Sequence, residues 1–394
     1  MHTDPVTLEL FKNALFSIAD EMAVTICCTT YSGVLRDNMD FSTAFTDGEG
    51  HLVGQGLTIP LHLGSVPTAL REVLERFEGD IHPGDLFILN DPYAGGMHLP
   101  DVFIFKPIFC DGERLAFAAT VCHHVDVGGR VPGSNASDST EIYQEGLRIP
   151  PIKLYERGVR NDTLWQIIET NVRLPVQIFG DLRAQLAACN IAEKQFNELV
   201  DHYGIDVTKH YMHAVIDYAE RMARAAIREL PDGAFSFEDW IDDDGIERDR
   251  PIRLYCTISK QGDGLLVDWN GTSPQVKGAI NCTLSFTKAV SYAAIRSVLG
   301  NDIPCNEGLF RTIEVIAPEG SINNMLPPAA CAARGLTGFR MGDCLFGALA
   351  MMLPDRVFAA SDGGNTCVSI GGYTAERKPF IFVDFTCGSW GGRP

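Results

Sequence analysis

The stretch DLFILNDPYAGGMHLPDVFIFKPIFCDGERLAFAATVCHH, residues 85–124, decides the fold. DLFILN, DVFIFKPIF and RLAFAATVCHH are short runs rich in β-branched and aromatic residues, punctuated by Gly, Pro and Asp. They read as three strands, the last two joined across an Asp111–Gly112 turn. Upstream, FSTAFTDGEGHLVGQG (41–56) repeats the form: a strand, a Gly/Asp turn and a second strand. Ser65 and Pro67 then start a helix that runs through Phe77. At the start of the chain, Asp4 as N-cap and Pro5 at the first helical position introduce Leu8, Phe11, Leu15, Ile18, Met22 and Ile26. Their spacing of three or four residues is that of a long amphipathic helix.

Downstream, residues 162–230 switch to helical periodicity, with two helices either side of Pro175. A third places Val207, Tyr211, Val215, Tyr218, Met222 and Ala225 on one face. Its other face, with His210, His213, Asp217, Arg221, Arg224 and Arg228, reads as a solvated surface. After Pro231-Asp232-Gly233 strands return in PIRLYCTIS (251–259) and GLLVDWN (264–270), with an acidic turn at Asp242–Asp244. Helices follow around 284–299 and 338–353, then two closing strands, CVSIGGY (367–373) and PFIFVDF (379–385). The expected class is α+β: mixed, largely antiparallel sheets with a helical middle segment, in regions 1–160, 161–232 and 233–394. The last of these is expected to be a second α+β region.

The 394 residues carry 32 Lys+Arg against 51 Asp+Glu, a formal charge of −19, which disfavours nucleic acid as a partner because phosphate recognition needs a basic patch. With 45% hydrophobic residues the chain can bury a sizeable core. No run approaches the ~18 apolar residues of a membrane span; the nearest, Cys344 to Leu353, is stopped by Asp343 and Pro354. The N-terminus has no basic segment leading into an apolar one, so a soluble, cytoplasmic chain is expected. The 12 cysteines are scattered without a C-x-x-C and read as reduced and mostly buried.

All ten histidines lie at or before His213. The dense segments are NDPYAGGMHLPDV, with Asn90, Asp91, His98 and Asp101, and VCHHVDVGG, with His123, His124 and Asp126. Both fall in Gly-containing loops at strand ends, where a rigid scaffold displays functional groups. Imidazole and carboxylate together suit Mn, Fe or Zn and leave positions open for water and substrate. His98 and Asp101 are three apart around a Pro-containing turn and can face one point. His123 and His124, adjacent on a strand end, point to opposite faces, so one of them joins an ion while the other orients a ligand or handles protons. The plain alternative is a loop-rich region of hydrogen-bonded structural groups. Phosphate-loop, dinucleotide, G-x-S-x-G and H-E-x-x-H signatures are missing. Cys122 is a poor candidate nucleophile, since it points away from the neighbouring His123.

The stretches RDNMDFSTAFTDGEG, IPLHLGSVPTAL, GDLFILNDPYAGGMHLPDV, HHVDVGG, EIYQEGLRIPPIKL, NVRLPVQIFGDLRAQ, NEGLFRTIEVIAPEGS and FRMGDCLFGALA together resemble the hydantoinase B family. That family includes the B-type chains of ATP-dependent N-methylhydantoinases and related lactamases, the C-terminal half of 5-oxoprolinase and the acetone carboxylase α-type chain. The resemblance implies a divalent metal, manganese or zinc, held by His98, Asp101 and His123, with Asp40 completing or bridging the site. It makes His124, Asp126 and Glu145 the candidate catalytic groups around the ion and His62 the candidate substrate-binding group. Asp181 and Arg183 belong either to the wall of the site or to a structural ion pair. The implied function is ATP-driven opening of a cyclic amide: a hydantoinase A-type partner chain uses ATP to activate the carbonyl, and a metal-bound water of the B-type chain attacks it. The alternatives are a carboxylase branch acting on ketones and an inactive structural subunit. The chain stops at GSWGGRP, inside a Gly-rich stretch that runs on in the family, so a short member or a fragment is expected.

Overall fold

The sheet that carries the site is assembled from the strands read in the first 160 residues and two more. These are β1 (Phe41–Asp47), β2 (Leu52–Gln55), β3 (Leu86–Leu89), β4 (Asp101–Cys110), β5 (Glu113–His123), β6 (Ile152–Glu156) and β7 (Val159–Arg160). The computed structural model describes residues 2–394 apart from 57–58, 63, 389–390 and 393–394. In it the seven strands pair antiparallel in the order β2-β1-β5-β4-β3-β6-β7. Asp111 and Gly112 turn the β4–β5 hairpin with φ of 50° and 83°, the positive pair that matches the strands' right-handed twist. β6 starts at the end of EIYQEGLRIPPIKL and runs on to Glu156; two preceding prolines and its short length hid it from a reading by pattern.

Helices cover one face of this sheet. α1 (Pro5–Thr29) is capped by the Asp4 carboxylate, which accepts from the Thr7 N–H at 2.8 Å. It buries Phe11, Leu15, Ile18, Met22 and Ile26 as its spacing requires. A short turn α2 (Gly33–Arg36) leads into β1, and α3 (Ser65–Arg76) packs on the opposite face. α4 (Asp162–Asn171), α5 (Pro175–Tyr203) and α6 (Ile205–Arg228) form the helical middle segment. The buried face of α6 is rotated from the expected one. Tyr211 and Val215 are buried as expected, but Met212, Ile216, Ala219, Ala223 and Ile227 replace Tyr218, Met222 and Ala225. The helix is wedged between α1 and α8 (Glu307–Phe310), and Gly308 comes so close to it that a Cβ there would lie 2.0 Å from the Ile216 carbonyl oxygen.

The remainder forms a four-stranded sheet in the order β11-β10-β9-β8, from β8 (Ala234–Ile241), β9 (Ile252–Gln261), β10 (Gly264–Asp268) and β11 (Ile313–Ile316). β10 and β11 pair parallel, joined by a crossover that contains α7 (Leu284–Leu299). α9 (Gly335–Met352) lies against this sheet, and a separate hairpin of β12 (Asn365–Tyr373) and β13 (Pro379–Cys387) follows.

Side-chain parity explains why the central strands are apolar almost throughout. Phe103, Phe105, Phe117, Ala119 and Val121 join Trp269, Phe286, Ile295 and Leu345 in one core, while Ile104, Ile108, Ala116, Ala118 and Cys122 join α1, α5 and α6 in another. The first core runs across residue 232 without a break. The cysteines among the described residues are free and mostly buried, and no described helix is long and apolar enough to cross a membrane.

Candidate functional site

Three neighbouring strands end together on the side of the second half of the chain. Asp101, the first residue of β4, is the register partner of His123, the last of β5, and the His123 N–H donates to the carbonyl of Asp40, just ahead of β1, at 3.0 Å. By strand alternation Asp101 shares the face of Phe103, and His123 that of Val121. His98 sits in the turn before β4, closed by the Asp101 N–H to the His98 carbonyl at 3.1 Å. Its ring centroid lies 5.0 Å from that of His123. His62, at the end of a 3-10 turn, puts Nε2 3.6 Å from Asp40 Oδ1, while its Nδ1 meets Ser42 Oγ at 3.1 Å. Phe385 of β13 meets the His123 ring edge-on at 5.7 Å.

The cluster is sealed: Asp101 is 0%, His98 2% and His123 4% exposed. Burial, reinforced for His98 by the Arg334 charge, pushes the imidazoles down to about 3 in His98 and about 4 in His123. Both are therefore neutral at pH 7. Burial alone would raise Asp101, but the Arg334 charge outweighs it and holds the carboxyl well below the usual range. Burial pushes Asp40 up to about 6, with His62 opposing and Asp101 adding to the rise. Arg334 Nη2 donates to Asp101 Oδ2 at 2.5 Å.

The donor set fits a divalent transition ion. Neutral imidazole nitrogens and carboxylates are its usual ligands, and His98 Nδ1, His123 Nδ1 and Asp101 Oδ1 are buried without a hydrogen-bond partner. His98 Nδ1 approaches Asp101 Oδ2 to 2.7 Å without the angle of a hydrogen bond, as two ligands of one ion do. The four donors are not drawn into a closed set, since Arg334 holds Asp101. Among the described residues the trio whose donor atoms all lie within 4.8 Å of one another is Asp47, Glu49 and His213, at the other end of β1. Glu49 and His213 are exposed there.

His124 points the other way. Its Nε2 lies 3.0 Å from Gln185 Oε1 on α5, and Gln185 Nε2 donates onward to the Val102 carbonyl and Thr120 Oγ1. Asp126, named with His124 as a candidate catalytic group, does not adjoin it. β5 ends at His123, so the alternation that would set Asp126 on the face of His124 does not extend that far. Asp126 instead accepts from Arg173 Nη1 at 2.7 Å and from the Arg173 N–H at 2.8 Å. Asp181 and Arg183 form no pair: Arg183 is exposed, and Asp181 binds Thr30 Oγ1 and the N–H groups of Tyr31 (2.7 Å) and Ser32 (3.1 Å) at the end of α1.

Glu145 is a buried latch rather than a neighbour of His124. Its Oε1 accepts from the N–H groups of Cys331 (2.7 Å) and Ala332 (2.8 Å). Burial, only partly offset by these bonds, pushes its carboxyl up to about 7. A carboxyl raised on folding contributes most to stability below its unfolded value near 4.5, and that contribution is lost as pH rises through about 7. Glu145→Gln is therefore expected to gain on the parent by on the order of 2 kcal/mol between pH 5 and 8. The difference in urea midpoints across that range measures it, and a gap independent of pH would contradict the assignment.

Arg334, Gln185 and Phe385 were missed by sequence reasoning. Arg334 left one trace: it is the only charged residue between Ser321 and Phe339. Gln185 belongs to the GDLRAQ motif, where the charged residues drew attention instead.

An α+β chain with a buried imidazole–carboxylate cluster at the ends of adjacent antiparallel strands defines the class. Residues 4–394 match the family model described as hydantoinase B/oxoprolinase, and the chain belongs to that family. A protein of Pseudomonas sp. (strain NS671), described as the candidate B component of a D-/L-hydantoinase, is 35% identical over 99% of this chain and 68% of its own length. The beta chain of the caprolactamase of Pseudomonas jessenii is 33% identical over 98% of this chain and 66% of its own. The crystal structure of the ATP-dependent caprolactamase from that organism superposes with a TM-score of 0.90 at 31% identity, covering 98% of this chain and 66% of that one. A nucleotide-free acetone carboxylase shares the fold, with a TM-score of 0.90 at 18% identity over 96% of this chain and 53% of that one. The chain spans about two thirds of the length of the first two relatives.

Proposed function

We propose that this chain is the metal-dependent B-type component of an ATP-dependent cyclic-amide hydrolase, working in the cytoplasm on a carbonyl activated with ATP by a separate hydantoinase A-type chain. The observation that carries the reading is the cluster of Asp40 with the buried His98, Asp101 and His123, in a chain related by descent to hydantoinase and caprolactamase components. An amide without ring strain is a poor electrophile, which is why activation by ATP precedes hydrolysis. A divalent ion held by these four residues would act as a Lewis acid and lower the pKa of water toward ~7.

The chain's own residues set the rest. His98 and His123, kept neutral by burial, offer ring nitrogens as donors. Asp101 supplies fixed negative charge. Asp40, whose Oδ1 lies 3.6 Å from His62 Nε2, brings the second carboxylate to the set and places His62 beside it as the candidate substrate-facing group. Phe385 and the surrounding core limit bulk water at the activated group, where attack at phosphorus would return the unopened amide and waste the ATP.

The test is ATP hydrolysis by the chain co-purified with its A-type partner, screened against lactams, hydantoins and ketones with bicarbonate. ATP turnover that depends on a cyclic amide and needs both chains is expected. Substantial turnover by this chain alone contradicts the division of labour. Turnover that depends on bicarbonate and a ketone assigns the chain to the carboxylase branch, and no turnover with an empty metal site gives it a structural role only.

A further inference from the structure

Arg334 is the charged group that, among the described residues, the second half of the chain pairs with Asp101, and most of its bonding capacity is unspent. A guanidinium carries five N–H donors. Among the described residues the Arg334 guanidinium makes one hydrogen bond, from Nη2 to Asp101 Oδ2, while its Nε is buried with no partner and the side chain is 10% exposed. Its plane lies over the Phe286 ring, 4.5 Å from the centroid, which fixes the guanidinium without satisfying any N–H. Buried donors left unpaired are costly, so a side chain kept in this state calls for an acceptor that the described residues do not provide.

The placement of Arg334 is built. Ile142 N–H donates to the Pro328 carbonyl at 3.0 Å, Tyr93 Oη to the Ala329 carbonyl at 2.6 Å, and Asn281 Nδ2 to the Ala330 carbonyl at 3.0 Å. The Ala333 N–H donates to the Ala279 carbonyl at 2.8 Å, and Glu145 holds the N–H groups of Cys331 and Ala332. Every residue from Pro328 to Ala333 is thus tied to another part of the molecule, and Arg334 follows as the N-cap of α9, an 18-residue helix whose N-terminal dipole adds positive potential there.

We infer that Arg334 forms an oxyanion subsite beside Asp101, with its free N–H groups receiving phosphoryl oxygens. The planar fork of arginine matches two oxygens of a phosphoryl group, and the subsite adjoins the donors that would hold the ion. This rests on the proposed reaction, in which activation by ATP places a phosphoryl group on the carbonyl oxygen and hydrolysis ends with phosphate. It deepens that reading by making the second half of the chain the part that recognises activation.

Asp40 and Asp101 lie beside the subsite, so binding is measured by calorimetry on the full chain both with Mn2+ and without metal. Inorganic phosphate and ethyl phosphate are the probes, and metal content is determined on the same samples. The Mn2+-loaded parent is expected to bind one phosphate. Arg334→Gln is expected to weaken binding at least tenfold, and Arg334→Lys, which keeps the charge but not the fork, about three- to tenfold, with metal content unchanged. Tighter binding of ethyl phosphate identifies the activated substrate as the natural occupant, and equal or weaker binding identifies released phosphate. Unchanged affinity in a folded Arg334→Gln overturns the subsite, as does an absence of phosphate binding by the parent in both metal states. If Arg334→Gln does not fold, an unchanged affinity in Arg334→Lys overturns it equally. A chain that takes up no metal contradicts the proposed function, and Arg334-dependent phosphate binding without metal would still uphold the subsite.

Discussion

His123→Ala is expected to cost the chain its metal and, with it, at least ~100-fold in substrate-dependent ATP turnover, because His123 is one of the donors in a sealed cluster and no neighbouring side chain can replace its nitrogen. His124→Ala should behave in the opposite way. Its ring lies on the α5 side of the sheet, so its loss leaves a cavity and a buried Gln185 Oε1 without its partner. That is expected to lower stability by about 2–4 kcal/mol while metal content and turnover per folded complex stay near the parent's. Elemental analysis, thermal melting and reconstituted ATP hydrolysis on both variants separate the two roles. Metal lost in His124→Ala and retained in His123→Ala would reverse the assignment.

Asp101→Ala is expected to give the largest stability loss of any single change in the site. It strands the Arg334 guanidinium in the core, and breaking a buried pair from one side costs about 3–5 kcal/mol. Because the carboxyl is held below its ordinary range, the contribution is present above pH ~4 and is lost as pH falls below it. Adding Arg334→Met should recover most of the stability without restoring metal, since the stranded charge goes but the ligand does not return. If Asp101→Ala costs under ~1 kcal/mol, the buried pair carries no such weight. The comparison is made by urea denaturation of the two single variants and the double variant.

The elements were legible wherever periodicity or turn chemistry was strong. The Asp4-Pro5 start of α1, the Asp111–Gly112 hairpin and the long helix opened by Pro175 each carry a local signal that tertiary packing has no reason to override. β6 and β11 carry none: one is a short run after two prolines, and the other is a four-residue segment defined only by its parallel partner. The adjacent His98–Asp101 turn and the opposed faces of His123 and His124 could be argued from spacing, because strand geometry fixes where neighbours point. What spacing cannot give is contact across the chain. Arg334 reaches Asp101 from 233 residues away, and Asp126, beyond the end of β5, is taken by Arg173. The rotated face of α6 is a further case: which of its apolar residues is buried depends on α1 and α8, not on α6 itself.

The alignment of Asp40, Asp101 and His123 on one hydrogen-bonded ladder has an evolutionary side. Residues 122–124 read Cys-His-His, three consecutive metal-ligating side chains at the end of β5. A bulge that absorbs one inserted or deleted residue just ahead of the strand end would bring His124 or Cys122 into the place of His123. Such a length change replaces one imidazole by another, or exchanges it for a softer sulfur donor. The strand end therefore tolerates an error of one residue in either direction and offers a short mutational route from one metal preference to another, with the remainder of the ladder left in register.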